Sequence, residues 1–138
     1  MLALASSAAA APAKYVHIEV TENIGGPDGE AFSASGPAVD AGLVCGSGIV
    51  NDTDYTPGHE AGIFTFFQAA KTFTCDEGGT FDVELRVRLN TITRQTSATW
   101  SVVGGSGDYE FLRASGLLVG TPDVPGETIL DVYDGIVR

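Results

Sequence analysis

Residues 81–89 alternate apolar and polar side chains without a break, and this pattern constrains the fold more than any other feature of the sequence. The apolar side chains are Phe81, Val83, Leu85, Val87 and Leu89, and the polar ones between them are Asp82, Glu84, Arg86 and Arg88. Successive side chains of a β-strand point to opposite faces, so each set occupies one face. A strand with one buried and one solvated face is typical of an antiparallel sheet or barrel.

The same two-residue period recurs along the chain, and residues that favour turns separate the periodic segments. The predicted strands are residues 14–21, 30–35, 43–50, 63–74, 81–89, 93–103, 109–119 and 128–137. Residues 51–62 are polar and rich in turn formers, and we predict them to be the longest loop. No segment has a helical period. Eight sequential strands with short connections predict an all-β antiparallel meander, and eight strands can close into an up-and-down barrel wide enough for side chains or one small ligand. A β-sandwich is the alternative topology.

The length of 138 residues suits one domain, and the net charge of −11 limits its partners. Nucleic acids and anionic membranes attract basic surfaces, so neither is expected as a partner. Residues 1–13, rich in Ala, Leu and Ser, resemble the end of a secretory signal with a small-residue cleavage site. We predict a signal remnant or disordered N-terminus there, a single barrel domain over 14–138, and a secreted or periplasmic location. No other apolar run approaches the roughly 20 residues that span a bilayer, so membrane insertion is not expected.

Cys45 and Cys75 are the only cysteines of the chain. In an exported protein an even number of cysteines usually forms disulfides, so we predict that these two are bonded. The two histidines, His17 and His59, are too few to argue for a metal site. The turn at 104–107 is rich in glycine like a phosphate-binding loop, but neither a lysine nor a helix follows it. The sequence therefore predicts neither a metal nor another cofactor.

The segment Val102-Val103-Gly104-Gly105-Ser106-Gly107-Asp108-Tyr109, followed by Arg113, resembles a motif of the plant dirigent proteins. Those proteins carry Val-Val-Gly-Gly-Thr-Gly-x-Phe and then an Arg-Gly pair. Here Ser106 replaces the Thr, Tyr109 replaces the Phe, and Ala114 stands where the family has the glycine after the arginine. Related segments occur in allene oxide cyclases and in bacterial secreted proteins with the same barrel. The resemblance implies a calycin-like barrel of the allene oxide cyclase/dirigent type, and it implies a homo-trimer or another homo-oligomer.

If residues 109–119 form a strand, Tyr109, Phe111 and Arg113 lie on one of its faces. Inside an apolar barrel, the Arg113 guanidinium could hold a carboxylate or enolate oxygen, and Tyr109 could donate a hydrogen bond to the same ligand. The alternative is that Arg113 pairs with a structural carboxylate, such as that of Asp131 or Glu19, or points to solvent.

Dirigent proteins carry a His-Asp pair on the first strand, which implies a role for His17 in ligand binding. Ile18 stands at the aspartate position, however, so Glu19 can stand in for the catalytic acid only if the strand presents its other face to the ligand. Allene oxide cyclases hold an apolar substrate in one conformation, which requires shape more than reactive groups. The aromatic side chains predicted to line such an interior are Phe64, Phe66, Trp100, Phe111 and Tyr133. Packing is the alternative role for Trp100 and Tyr133.

Two functional hypotheses follow from these features. The first is a secreted barrel that binds an apolar or phenolic small molecule and acts as an isomerase, a cyclase or a stereo-directing protein. The second is a non-catalytic structural or carrier barrel. A cavity of several hundred Å³ with converging polar groups would favour a site, whereas an interior filled by Phe and Leu would favour a structural role.

Overall fold

The computed structural model describes residues 12–138, and within them the chain forms one closed barrel of eight antiparallel strands. The strands are β1 (Lys14–Asn23), β2 (Glu30–Ser35), β3 (Ser47–Ala61), β4 (Phe64–Cys75), β5 (Thr80–Asn90), β6 (Thr96–Ser106), β7 (Ala114–Pro122) and β8 (Thr128–Val137). Each strand pairs with the next one in sequence, and β1 pairs with β8 to close the barrel. The predicted eight-stranded up-and-down barrel is confirmed. The predicted signal-like segment lies almost entirely outside the described residues.

Helical structure is limited to two short pieces among the described residues. They are a four-residue helix, α1 (Pro37–Asp40), and one 3₁₀ turn over Gly107–Tyr109. No helix in this part of the chain has the length and apolar character needed to cross a membrane.

The prediction of a long loop at residues 51–62 is wrong, because β3 continues through this segment to Ala61. Its pairing with β4 shifts register between Asp52 and Asp54 and again between Pro57 and Glu60. Such irregularities allow a strand to include a proline and unpaired residues. Residues 52–61 are all exposed, so neither face of this half of β3 required apolar side chains. Without a buried face, the segment carries no two-residue period.

The predicted strand at 109–119 begins too early, since β7 starts only at Ala114. A Cβ on Gly105 would lie 2.3 Å from the backbone oxygen of Tyr109, so only glycine permits this close return of the chain. The left-handed φ of Gly107, 61°, then starts the 3₁₀ turn. Tyr109, Phe111 and Arg113 therefore do not share a strand face.

The disulfide is confirmed, with Cys45 and Cys75 bonded to each other. Cys75 ends β4, and Cys45 lies between α1 and the start of β3. The bond therefore holds the segment that crosses one end of the barrel to the barrel wall.

Aromatic side chains fill one half of the barrel interior. The Phe73 and Phe81 rings stack with centroids 4.8 Å apart, and Phe32 packs edge-on against Phe73 at 5.1 Å. Tyr133 lies perpendicular to Phe73 at 5.6 Å and contacts Trp100 at 6.0 Å. All five side chains are buried, so this half of the barrel is a packed core.

Candidate functional site

The other half of the interior holds an open cavity of about 340 Å³. Its apolar walls are formed by Phe67, Ala69, Leu85, Val87, Leu118 and Ile129, and its polar groups include Glu22, Asp52, Lys71, Thr96 and Asp131. The volume falls in the range of small-molecule sites, roughly 300–1,000 Å³. A predominantly apolar wall with a few converging polar groups is also typical of such sites.

Small residues at inward positions create the space for the cavity. Ala69 lies on the same face of β4 as Phe73, where a larger side chain would extend the aromatic core. Gly120 pairs with Asp131 in the register of β7 and β8. A Cβ on Gly120 would lie 2.5 Å from Asp131 Oδ1 and 2.1 Å from Thr96 Oγ1. Glycine at this position therefore makes room for the inward carboxyl.

A buried ion pair crosses the cavity end of the barrel. Lys71 Nζ lies 2.5 Å from Glu22 Oε1 and 3.1 Å from Asp52 Oδ1. Burial lowers the pKa of Lys71. Attraction to Glu22, the hydrogen bond to Glu22 and attraction to Asp52 together outweigh this effect, so the net pKa is raised. Burial raises the pKa of Glu22, while Lys71 opposes this shift. The pair is ionised at neutral pH, because the pKa of Lys71 is raised and attraction to Lys71 opposes the rise in the pKa of Glu22.

Asp131 lies beside this pair but is not among the partners of Lys71 within 4 Å. Only 8% of its surface is exposed. Burial raises the pKa of Asp131 to about 7; attraction to Lys71 lowers it, and the negative charges of Glu22, Asp52 and Glu30 add to the rise. Asp131 therefore changes charge near neutral pH inside an apolar cavity.

Tyr133 lies two residues along β8 from Asp131 and on the same inward face. Its hydroxyl is buried and has no hydrogen-bond partner among the described residues. Burial raises the pKa of Tyr133 well above its usual value, and the negative charges of Asp131, Glu22 and Asp52 raise it further. The hydroxyl thus stays protonated inside the barrel. Glu30 Oε2 is likewise buried without a partner among these residues.

The residues predicted from the glycine-rich motif do not reach the cavity. Arg113 is exposed, and its predicted partner Asp131 faces Lys71 instead. Phe111 is 85% exposed. Tyr109 packs against Phe81, with ring centroids 6.0 Å apart, at the end of the barrel that the aromatic core fills. The interior position predicted for Phe111 is therefore wrong, and of the alternatives for Arg113 the solvent-facing one is observed, because the turn at 105–109 places both residues outside the barrel.

The aromatic residues predicted on the fourth strand also lie elsewhere. Phe64 and Phe66 are on the outward face of β4, opposite the buried Lys71 and Phe73. Arg88 lies over the Phe64 ring at 4.7 Å, and His59 stacks on Phe66 at 4.8 Å. Trp100 and Tyr133 are interior as predicted, but they pack in the core. The Trp100 indole Nε1 donates a hydrogen bond to the Leu117 oxygen at 3.1 Å.

His17 and Glu19 form a cluster on the outer face of β1. His17 Nδ1 lies 2.6 Å from Asp134 Oδ1, and Nε2 lies 3.2 Å from Glu19 Oε1. Tyr15 donates a hydrogen bond to the same Asp134 oxygen. The hydrogen bond to Asp134, and then that to Glu19, raise the pKa of His17. These side chains point outward because they alternate along β1 with Val16 and Ile18, which point into the barrel.

The sequence interpretation did not predict the three charged residues of the cavity as a site, although they share one feature of the sequence. Glu22 continues the buried phase of β1, Lys71 lies in phase with Phe73, and Asp131 lies in phase with Tyr133. A charged residue in the apolar phase of a strand must be paired or functional, because burying an isolated charge is costly. That signal was present in the alternation itself.

Within residues 12–138, no group of three or more His, Cys, Asp or Glu side chains is arranged to hold a metal ion. Comparison of the sequence with known proteins adds no identification. No protein-family model matches the chain, and no curated protein matches it.

Proposed function

We propose that this protein binds a small, mainly apolar molecule in the open half of its barrel, with Asp131 as the polar anchor. The observation that supports this most is the cavity of about 340 Å³ whose apolar walls converge on Asp131 and on the Lys71–Glu22 pair. A phenolic or other hydroxyl group would find an acceptor in Asp131. The disulfide fits an oxidising compartment, so a secreted or periplasmic location is part of the proposal.

A neutral fluorescent probe and a pair of matched variants test the binding proposal. N-phenyl-1-naphthylamine is apolar and becomes bright when it leaves water. Ala69→Phe places a ring in the cavity, whereas Ala70→Phe places the same ring on the outer face of β4. The parent and Ala70→Phe should bind the probe, and Ala69→Phe should bind it at least about tenfold more weakly, a difference of about 1.4 kcal/mol. No fluorescence gain with the parent, or equal binding by both variants, would refute the proposal.

Catalysis of an isomerisation or cyclisation is the first form that this function can take. A carboxyl group with a pKa near neutral can take a proton from a bound ligand and return it to another atom. A cavity that holds a flexible ligand in one conformation would supply the rest of the acceleration. The pKa of about 7 for Asp131 favours this form, which agrees with the resemblance to allene oxide cyclases.

Transport or storage without chemistry is the second form, and the open rim of the cavity favours it. Exposed Ile24 and Tyr55 border the cavity, whereas catalytic sites commonly exclude water.

A generic base-catalysed reaction separates the two forms. In the ring opening of 5-nitrobenzisoxazole, a base removes the C3 proton, the N–O bond breaks, and the coloured 2-cyano-4-nitrophenolate forms. A catalytic Asp131 should accelerate this reaction with a midpoint near pH 7, and Asp131→Asn should abolish the acceleration. Glu84→Gln, which makes the same charge change on the outer face of β5, should not. A parent no faster than free acetate would favour the carrier.

A further inference from the structure

Carboxyl groups outnumber the basic groups around the cavity. The charges that act on Asp131 come from three other carboxyl groups, those of Glu22, Glu30 and Asp52, and from one ammonium, that of Lys71. They stand on β1, β2, β3 and β4 respectively, so the acidic surroundings come from several strands. The cavity therefore has a negative electrostatic potential, which favours cations and opposes anions.

Lys71, the single cation that the described part of the chain places at the cavity, is already paired. Lys71 Nζ contacts Glu22 Oε1 at 2.5 Å and Asp52 Oδ1 at 3.1 Å. A ligand carboxylate would have to share this one ammonium with two carboxylates already beside it, and both would repel it. Arg113, whose guanidinium was the sequence-based candidate for holding a ligand carboxylate, lies on the exposed surface.

Asp131, by contrast, has an open place for a positive charge. It is nearly buried, has no cation of residues 12–138 within 4 Å, and faces the cavity. A ligand ammonium could supply a counter-charge in direct contact and a hydrogen bond, whereas Lys71 acts on Asp131 only from beyond 4 Å. The rim offers a second attraction, because the rings of Tyr55 and Phe67 lie 5.3 Å apart at the cavity and aromatic faces attract cations.

We propose that the natural ligand of this cavity is an amine with an apolar body, bound as the ammonium ion with its nitrogen at Asp131 and its body against Leu85, Val87 and Leu118. This inference rests on the proposed function, since it requires that the cavity bind a small molecule. An ammonium beside Asp131 would keep this carboxyl ionised and weaken it as a base. The inference therefore favours the carrier form over the isomerase form.

Three probes with the same aromatic body test the charge preference. They are 1-naphthylmethylamine, which is a cation at pH 8, 1-naphthylmethanol, which is neutral, and 1-naphthylacetic acid, which is an anion. Each is titrated against N-phenyl-1-naphthylamine bound to the parent protein at low salt. We expect the amine to bind at least about tenfold more tightly than the alcohol, and the acid to bind most weakly.

Two variants test whether the preference for the amine arises from Asp131. Asp131→Asn should weaken amine binding at least about tenfold and alcohol binding much less, because the Asn amide oxygen still accepts a hydrogen bond from a hydroxyl; the preference for the amine over the alcohol should fall at least about fivefold. Glu84→Gln changes the net charge equally but lies on the outer face of β5, so it should preserve the ranking. The parent gives an independent measurement should Asp131→Asn fail to fold. Its preference for the amine over the alcohol should fall at least about fivefold from pH 8 to pH 5, as Asp131 takes up a proton while the amine stays charged.

The possible failures are distinguishable. If the neutral probe binds but the amine binds no better than the alcohol, or the acid binds best, the amine inference is overturned and the proposed function stands. If Glu84→Gln removes the preference as fully as Asp131→Asn does, the effect comes from overall charge and the inference is also overturned. If neither the neutral probe nor any naphthyl compound binds, both proposals fail.

Discussion

Replacing Asp131 with Asn should stabilise the protein more at pH 8 than at pH 5, which is unusual for an aspartate. The folded protein raises the pKa of this carboxyl from 3.8 to about 7. Between these two values the folded state holds a proton that the unfolded state has lost. The stability of the parent therefore falls as the pH rises through this window, and it becomes constant above it. Asn does not titrate, so the variant escapes this loss.

The size of the effect follows from the shift of about three pH units. Compared with a low pH at which Asp131 is protonated in both the folded and the unfolded state, its titration lowers the unfolding free energy by about 2 kcal/mol at pH 5. At pH 8 it lowers the unfolding free energy by about 4 kcal/mol. The advantage of Asp131→Asn over the parent should therefore grow by about 2–3 kcal/mol between pH 5 and pH 8. For a domain of this length, that corresponds to a relative gain of roughly 5–10 °C in Tm.

Urea unfolding at several pH values measures this difference, and the fluorescence of Trp100, the single tryptophan, reports it from the buried core. Any constant effect of the Asn side chain cancels when the two pH values are compared. The control is Glu84→Gln, which makes the same acid-to-amide change on the exposed outer face of β5. A difference between Asp131→Asn and the parent that stays within about 0.5 kcal/mol from pH 5 to pH 8 would refute the raised pKa and the burial from which it derives.

Other substitutions test the disulfide, the close contact between two strands and the buried ion pair. Replacing Cys45 and Cys75 together with Ala should lower the unfolding free energy by about 3–4 kcal/mol, because the bond closes a loop between cysteines 30 positions apart; a loss below about 1 kcal/mol in urea would contradict this. Gly135→Ala should cost about 1–3 kcal/mol, since its Cβ would lie 2.4 Å from a backbone oxygen of β7 and 2.5 Å from the buried indole. Gly46→Ala, with its nearest atom at 3.5 Å, should melt with the parent, and equal losses in both glycine variants would exclude this explanation. Lys71→Met should cost about 3–5 kcal/mol at pH 8 and less at pH 5, where protonation relieves the uncompensated carboxyls; an equal cost at both pH values would be inconsistent with a charge effect.

Where a strand has one face in the core, its sequence was sufficient to predict it. The alternation of β5 predicted which of its side chains are buried, and the bounds of β2 and β8 agree with the predicted ones. The half of β3 after Asn51 was missed because both of its faces are exposed, which removes the only local signal that strands carry. Local periodicity thus reports burial rather than strand structure itself.

The candidate site could not be placed from local patterns, because its groups come together only when the barrel closes. Glu22 and Lys71 are 49 positions apart in the chain, yet their side chains meet at 2.5 Å. Asp131 approaches them from β8, because β8 pairs with β1 and this pairing closes the barrel. The glycine-rich motif pointed instead to Arg113, which the turn at 105–109 directs to solvent.

The sequence by itself determined the strand number, the antiparallel order and the pairing of the two cysteines. These depend on side-chain alternation, on short connections and on there being a single possible disulfide partner. Only the tertiary structure decided which inward positions meet, which half of the barrel is filled and where a cavity remains. These outcomes depend on the register between distant strands. They also depend on small residues such as Ala69 and Gly120, which leave an open space only when the fold brings particular side chains next to them.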